Sequence, residues 1–301
     1  MRKYLSLLIG LSTVALAASL TITDGLRRSV TLETPVSKVV ALSPTAVEVM
    51  LDVGITPVGR PSSAVHPEAA KRIAEVGSAY RPDPEKILGL QPDLLLGSVG
   101  TTAGQAKALE ALKIPLLVSA DSSLKDVIEM YALVGKLTGK EAMAQTAGGR
   151  LERAVAAVVA RVPKTGARPK VLALLAAGGQ SFSTTDETYA GDLLERLAAI
   201  NVAKGTPSAD PRQPGFVVLS LEQIVASNPD VILALRPRTA SGAFAPSPLE
   251  RLESQPVWQN LNAVKNNRVH LLDADPIVTA PGPRAVESLE MLLPLLYPGA
   301  K

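Results

Sequence analysis

The 301-residue chain has no cysteine, two histidines, one tryptophan and three phenylalanines. Without thiols there is no disulfide scaffold, no Cys-ligated zinc, no iron–sulfur cluster and no thiol catalysis. His66 and His270 are too few for a His-rich metal site. Neither charge dominates, with 31 Lys/Arg against 28 Asp/Glu. The basic residues are scattered, with no patch interleaved with aromatics, so no nucleic-acid partner is expected. Beyond the first twenty residues no window approaches the roughly 18 apolar residues a spanning helix needs. What is present is 47% hydrophobic and 20% charged, which excludes a disordered chain. The length suits two domains of about 130 residues.

Residues 1–19, MRKYLSLLIGLSTVALAAS, have the anatomy of a secretory signal: Arg2 and Lys3, an apolar stretch Leu5 to Leu16, then Ala15-Leu16-Ala17. Cleavage after Ala17 leaves 29 basic against 28 acidic side chains. No cysteine follows the apolar run, so a lipid anchor there is not expected. The mature chain is expected in a bacterial periplasm, without membrane insertion.

The two halves repeat each other. KVVAL at 38–42 returns as KVLAL at 170–174, and EKILGLQPDLLLG at 85–97 returns as EQIVASNPDVILA at 222–234. The first pair reads as buried parallel strands. In the second, Asp83 and Ser220 are helix N-caps and Pro84 opens its helix. Pro92 and Pro229 stop the helices, because proline disfavours helical backbone in the residue before it. Leu94–Leu96 and Val231–Leu233 then enter the sheet. Helix–turn–strand units in series predict parallel sheets covered by helices.

Between the repeats, Leu151, Val155, Val158, Val159 and Val162 recur at helical spacing. They predict a helix of about 23 residues and roughly 35 Å, a stiff strut weakened at Gly148-Gly149. The expected organisation is a signal peptide at 1–19, an N-terminal α/β lobe at 20–138, a connecting helix at 139–163 and a C-terminal α/β lobe at 164–301.

A cleft between such lobes lies at the strand ends. Tyr80 precedes Glu85 by five residues and Phe216 precedes Glu222 by six, which places an aromatic in the same loop of each lobe. Phe182 follows a polar Gly178-Gly179-Gln180-Ser181 stretch. Arg81 and Arg236 stand near these loops and suit carboxylates of a ligand. Phe244, in the Gly/Ala/Pro-rich stretch 239–248, is a candidate lid.

The ordered series continues. Thr23-Asp24-Gly25, KVVALSPTAVEVMLDVGITPVG, VGSAYRPDPEKILGLQPDLLL and SLEQIVASNPDVIL lead to Trp258-Gln259-Asn260-Leu261 and Pro281-Gly282-Pro283-Arg284. Together, over about residues 20–298, it resembles the substrate-binding proteins of bacterial ABC importers for iron complexes and vitamin B12. The resemblance implies a class III periplasmic binding protein: two α/β lobes with parallel-sheet cores, joined by one long helix. It implies a monomer that delivers a metal chelate (ferric siderophore, cobalamin or haem) to a permease dimer with its ATPase, with no intrinsic cofactor. It assigns docking on the permease to Glu85 and Glu222, ligand contacts to Tyr80, Phe182 and Phe216, and a cleft acid to Asp275. Haem-binding members ligate iron through a tyrosine directly after the glycine matching Gly77. Ser78 stands there, with Tyr80 two residues on, so iron ligation by Tyr80 or by His66 is left open.

Two other readings compete. A manganese or zinc receptor needs converging His, Asp and Glu side chains, and two distant histidines disfavour it. An exported enzyme on the same scaffold would need a motif, yet no Gly-x-Ser-x-Gly elbow, Walker loop, Gly-x-Gly-x-x-Gly or His-Glu-x-x-His occurs. No catalysis is expected.

Overall fold

The structure, a computed structural model, describes residues 18–177, 180–208, 214–238 and 243–300. The export segment through residue 17, Gly178, Gly179, Arg212 and residues 239–242 lie outside the described residues.

The chain enters through an antiparallel hairpin of β1 (Ala18–Thr23) and β2 (Ser29–Thr34), with Ala18 opposite Thr34. The first lobe follows as β3 (Val39–Ala41), α1 (Pro44–Asp52), β4 (Gly59–Arg60) and β5 (Ala74–Glu75). A small hairpin of β6 (Gly77–Ser78) and β7 (Arg81–Pro82) leads into α2 (Pro84–Gly89). Then come β8 (Leu94–Ser98), α3 (Val99–Thr102), α4 (Ala106–Glu110) and β9 (Leu116–Ser119). The sheet order is β5-β4-β3-β8-β9 and every pair is parallel.

Two helices follow, α5 (Leu124–Thr138) and α6 (Glu141–Val159). The second lobe runs β10 (Lys170–Ala177), β11 (Gln180–Thr184), α7 (Tyr189–Arg196), β12 (Ile200–Asn201), β13 (Phe216–Val217) and α8 (Leu221–Ser227). It ends with β14 (Val231–Arg236), α9 (Glu250–Glu253), α10 (Asn262–Lys265), β15 (Val269–Asp273) and α11 (Ala285–Leu296). Here β12, β14 and β15 extend β10 in parallel, as expected, but β11 runs antiparallel to β10, and β13 pairs antiparallel with β11. The two residues between β10 and β11 are too few for a crossover, so the chain can only fold back as a hairpin.

The repeated Pro-Asp has a mechanical reason. Asp93 Oδ2 accepts from the backbone amides of Ser37 (2.9 Å) and Lys38 (2.8 Å), and the Asp93 amide donates to the Lys38 carbonyl at 2.8 Å. In the second lobe Asp230 Oδ2 accepts from the Lys170 amide at 2.9 Å, and its own amide donates to the Lys170 carbonyl at 2.8 Å. Each aspartate pins the strand it opens to the first strand of its lobe, which sets the registers Val39–Leu94 and Val171–Val231. The caps follow the sequence pattern. Asp83 accepts from the amides of Glu85 and Lys86, and Ser220 forms a reciprocal capping box with Gln223.

The connecting helix α6 has 19 residues, about 28 Å, shorter than the periodicity suggests. It is packed rather than free-standing. Ala144, Ala147, Leu151, Val155 and Val158 are buried in one cluster that also holds Met50 and Val134 from the first lobe side and Val171, Leu233 and Leu292 from the second. Glycine makes this approach possible: a Cβ on Gly135 of α5 would lie 2.8 Å from the Cβ of Ala144. Gly148 lies beside Tyr131, where an added Cβ would make an ordinary contact at 3.4 Å.

Candidate ligand cleft

Past the carboxyl ends of the strands, where clefts in parallel sheets usually lie, α1 of the first lobe meets the segment between β15 and α11 of the second. An ion cluster around the buried Glu48 joins the two lobes there. Glu48 lies on α1, directly after β3, and its side chain is 4% accessible. Arg284, at the start of α11, places Nε 3.1 Å from both Glu48 oxygens and Nη2 2.8 Å from Oε1. The same Nη2 is 2.8 Å from Asp275 Oδ2. Burial pushes the Glu48 carboxyl up to about 7 despite the pull of Arg284, with Asp275 and Glu287 adding to the rise. The Leu124 amide donates to Asp192 of α7 at 3.0 Å, a second tie between the lobes. Asp275, expected as a ligand contact, is thus part of this cluster.

Two of the expected aromatics lie on the sheet of the second lobe. Phe182 lies opposite Leu175 and Phe216 opposite Thr184. Residues 182 and 184 share one face of β11, so both rings share it too. Phe182 is half-buried, and Phe216 packs against the large core. Arg236 ends β14; its Nε donates to the Ala245 carbonyl at 2.8 Å, and its guanidinium lies 5.1 Å from the centre of Phe244. Arg238 covers the same ring at 4.3 Å and pairs with Asp273 at 2.8 Å. Phe244, the candidate lid, is therefore clasped by two cations and bridged to the Arg238 backbone.

On the first lobe Tyr80 sits at the tip of the β6–β7 hairpin, 60% exposed. Gly77 makes the tip: its φ is +95°, and a Cβ there would lie 2.6 Å from the Arg81 carbonyl oxygen. Ser78 Oγ accepts from the Arg81 amide at 3.0 Å and closes the turn. A tyrosine has no hydroxyl within reach of that amide, which accounts locally for serine after the glycine and tyrosine at the tip. Arg81 is exposed beside it.

Sequence reasoning missed Glu48 and Asp121. Asp121 follows β9; its Oδ1 accepts from the Gly100 amide at 3.2 Å and its carboxylate is bonded by the Ser98 side chain. Glu48 was masked by its place in an apolar helix pattern, and Asp121 by an unremarkable Ala-Asp-Ser-Ser loop.

Glu85 and Glu222 are exposed in the first turns of α2 and α8. Their N-terminal position offsets each helix dipole, and hydrogen bonding to Ser220 holds the Glu222 carboxyl below its ordinary range. His66 is exposed in a loop, while His270 lies within β15 opposite Leu233. Among the described residues no three His, Asp or Glu side chains converge to hold a metal ion, and no helix is long and apolar enough to cross a membrane. A cavity of about 650 Å³ lies between Pro163–Arg168 and Leu296–Ala300. It sits before the start of β10, at the opposite edge of the sheet from the cleft, so it is separate from the walls above.

Two α/β lobes on a packed helical connection, with aromatics and charge at the facing strand ends, define a two-lobed binding protein. The chain matches the family described as "Periplasmic binding protein" over residues 39–276 and belongs to it. It is 28% identical to the ABC transporter substrate-binding lipoprotein YvrC of Bacillus subtilis over 286 residues, 92% of this chain and 85% of that protein. It is 27% identical to a cobalamin-binding protein of Halobacterium salinarum over 279 residues, 88% of this chain and 71% of that one. The haem complex of IsdE from Staphylococcus aureus shares the fold, with a TM-score of 0.74 at 23% identity, covering 86% of this chain and 98% of that one.

Proposed function

We propose that the protein is the exported substrate-binding component of an ABC importer. It captures an intact metal chelate (a corrinoid, haem or ferric siderophore) between its lobes and presents it to a permease. The observation that carries this reading is an aromatic on each lobe, Tyr80 exposed on the β6–β7 hairpin of one and Phe182 on β11 of the other. Family membership and relatives named for cobalamin and haem support it. Tyr80, Arg81, Phe182, Phe216 and Arg236 contact the ligand, and Asp275 acts there through Arg284. Flat rings supply area and arginines supply polar anchors, while the metal stays inside its own chelate.

Glu85 and Glu222 dock the two lobes on permease cations, fixing orientation and steering approach. Residues 20–138, 139–163 and 164–301 act as lobe, connector and lobe of a monomeric receptor that catalyses nothing. The chain reaches the periplasm through its N-terminal signal, and it offers no cysteine for a lipid anchor. Calorimetric titration of the purified protein with cyanocobalamin, haemin and a ferric hydroxamate siderophore tests the reading. Micromolar or tighter binding of one is expected, and binding of none overturns it.

A further inference from the structure

The duplication that gives each lobe its helix–strand unit also gives each an exposed pair of side chains. Glu85 and Leu88 on α2 correspond to Glu222 and Val225 on α8. Ile87 is buried in a cluster with Leu95, and Ile224 in one with Ile232, which fixes how each helix lies on its sheet. The residue after each isoleucine is turned about 100° around the helix and points away from that core. Leu88 is accordingly 49% exposed and Val225 38%. Three positions earlier, Glu85 and Glu222 neighbour them on the helix surface, and both are exposed. Among the described residues no Lys or Arg pairs with either glutamate.

A lone exposed aliphatic side chain is ordinary on a protein surface. Here the positions between and beyond have diverged, Lys86 against Gln223 and Gly89 against Ala226, while the acid and the aliphatic side chain recur. Packing does not require the pair, since the buried isoleucine already seats each helix. Each helix turns back into its strand within a few residues, so its first turn lies towards that strand's carboxyl end, the end at which the lobes meet. One chain with two equivalent patches is matched by a partner with two equivalent surfaces, as a two-fold symmetric dimer presents.

We propose that Leu88 and Val225 are the apolar anchors of the permease-docking surface, each covered by an apolar recess of one permease subunit beside the cation that meets Glu85 or Glu222. This rests on the import reading above and adds, to the charges that steer the encounter, the contacts that hold the complex. Exposed ion pairs are screened by salt and act mainly on the rate of encounter. An aliphatic side chain taken out of water adds affinity that salt does not screen.

The test measures binding to the importer complex of the native host, purified and held in lipid nanodiscs. Wild type is compared with Leu88→Ala, Val225→Ala, the double alanine variant, and Glu85→Ala combined with Glu222→Ala. Thermal unfolding and titration with cyanocobalamin, haemin and ferrichrome check each variant first. Both aliphatic residues are exposed and alanine suits a helix, so their variants are expected to fold and to take cargo as wild type does. Each single alanine is expected to weaken docking about three- to tenfold, and the double variant further, by faster dissociation with an unchanged salt dependence. The double glutamate variant is expected to lose the salt dependence instead. An unchanged docking affinity in the double alanine variant overturns this inference and leaves the import reading standing. Self-association of wild type that the double alanine variant abolishes gives the patches to a second copy of the chain, and also overturns it. Wild type that takes a cargo but does not bind the importer removes the docking role of both pairs, and wild type that binds neither overturns the import reading as well.

Discussion

Arg284 reaches from the start of α11 to Glu48 on α1, joining residues 236 positions apart through Nε, 3.1 Å from both carboxylate oxygens, and Nη2, 2.8 Å from one. The pair ties the carboxyl end of the first strand of one lobe to the last helix of the other. Because the Glu48 side chain is only 4% accessible and that of Arg284 14%, removing Arg284 strands the buried carboxyl.

Arg284→Met is therefore expected to cost about 3–5 kcal/mol of stability, the range for a buried ion deprived of its partner. Glu48→Gln with Arg284→Met is expected to cost less than Arg284→Met alone. Urea unfolding of Arg284→Met, Glu48→Gln and the double variant measures this, and additive losses would show that the pair is uncoupled.

The same carboxyl makes stability depend on pH. The folded-state value for Glu48, about 7, lies above the ordinary 4.5. The folded protein thus holds the proton more tightly than the unfolded chain between these values. The stabilisation is full below about pH 4.5 and is lost as pH rises through 7, by roughly 3 kcal/mol at most. The stability difference between wild type and Glu48→Gln, followed from pH 4.5 to 8, is expected to move against the wild type as pH rises. A difference flat across that range would contradict the raised value.

Gly77→Ala is expected to destabilise by about 1–3 kcal/mol, since alanine is strained at positive φ and its methyl meets the Arg81 carbonyl. Ligand affinity falls further than stability alone explains, because the hairpin tip that presents Tyr80 shifts. Chemical unfolding combined with titration of the folded fraction separates the two effects.

Glu85→Ala and Glu222→Ala are each expected to leave ligand affinity unchanged and to lower uptake by a reconstituted importer, with the double variant lower still. Unaltered uptake in the double variant would remove the docking role.

The repeated Pro-Asp, the capping residues and the aliphatic runs are local signals, and they made two helix–strand units visible in the sequence. The strand pairing that the aspartates enforce was legible only as a repeat, since its purpose lies in hydrogen bonds to Lys38 and Lys170, which are 55 and 60 residues away. The antiparallel pairings of β11 with β10 and with β13 were not legible. A two-residue link after KVLALLAA reads as a polar loop until β10 is seen to need a partner at its far end.

Periodicity, capping and turn chemistry act over a few residues, and these the sequence determined by itself: α/β lobes in duplicate, their helix starts and the aromatic-bearing loops. Only the tertiary structure decided that α6 is packed, that Asp275 turns to Arg284 and that Glu48 is buried against it. Each depends on side chains brought together from distant positions, and desolvation, which sets the worth of every such charge, exists only once the lobes have closed around them.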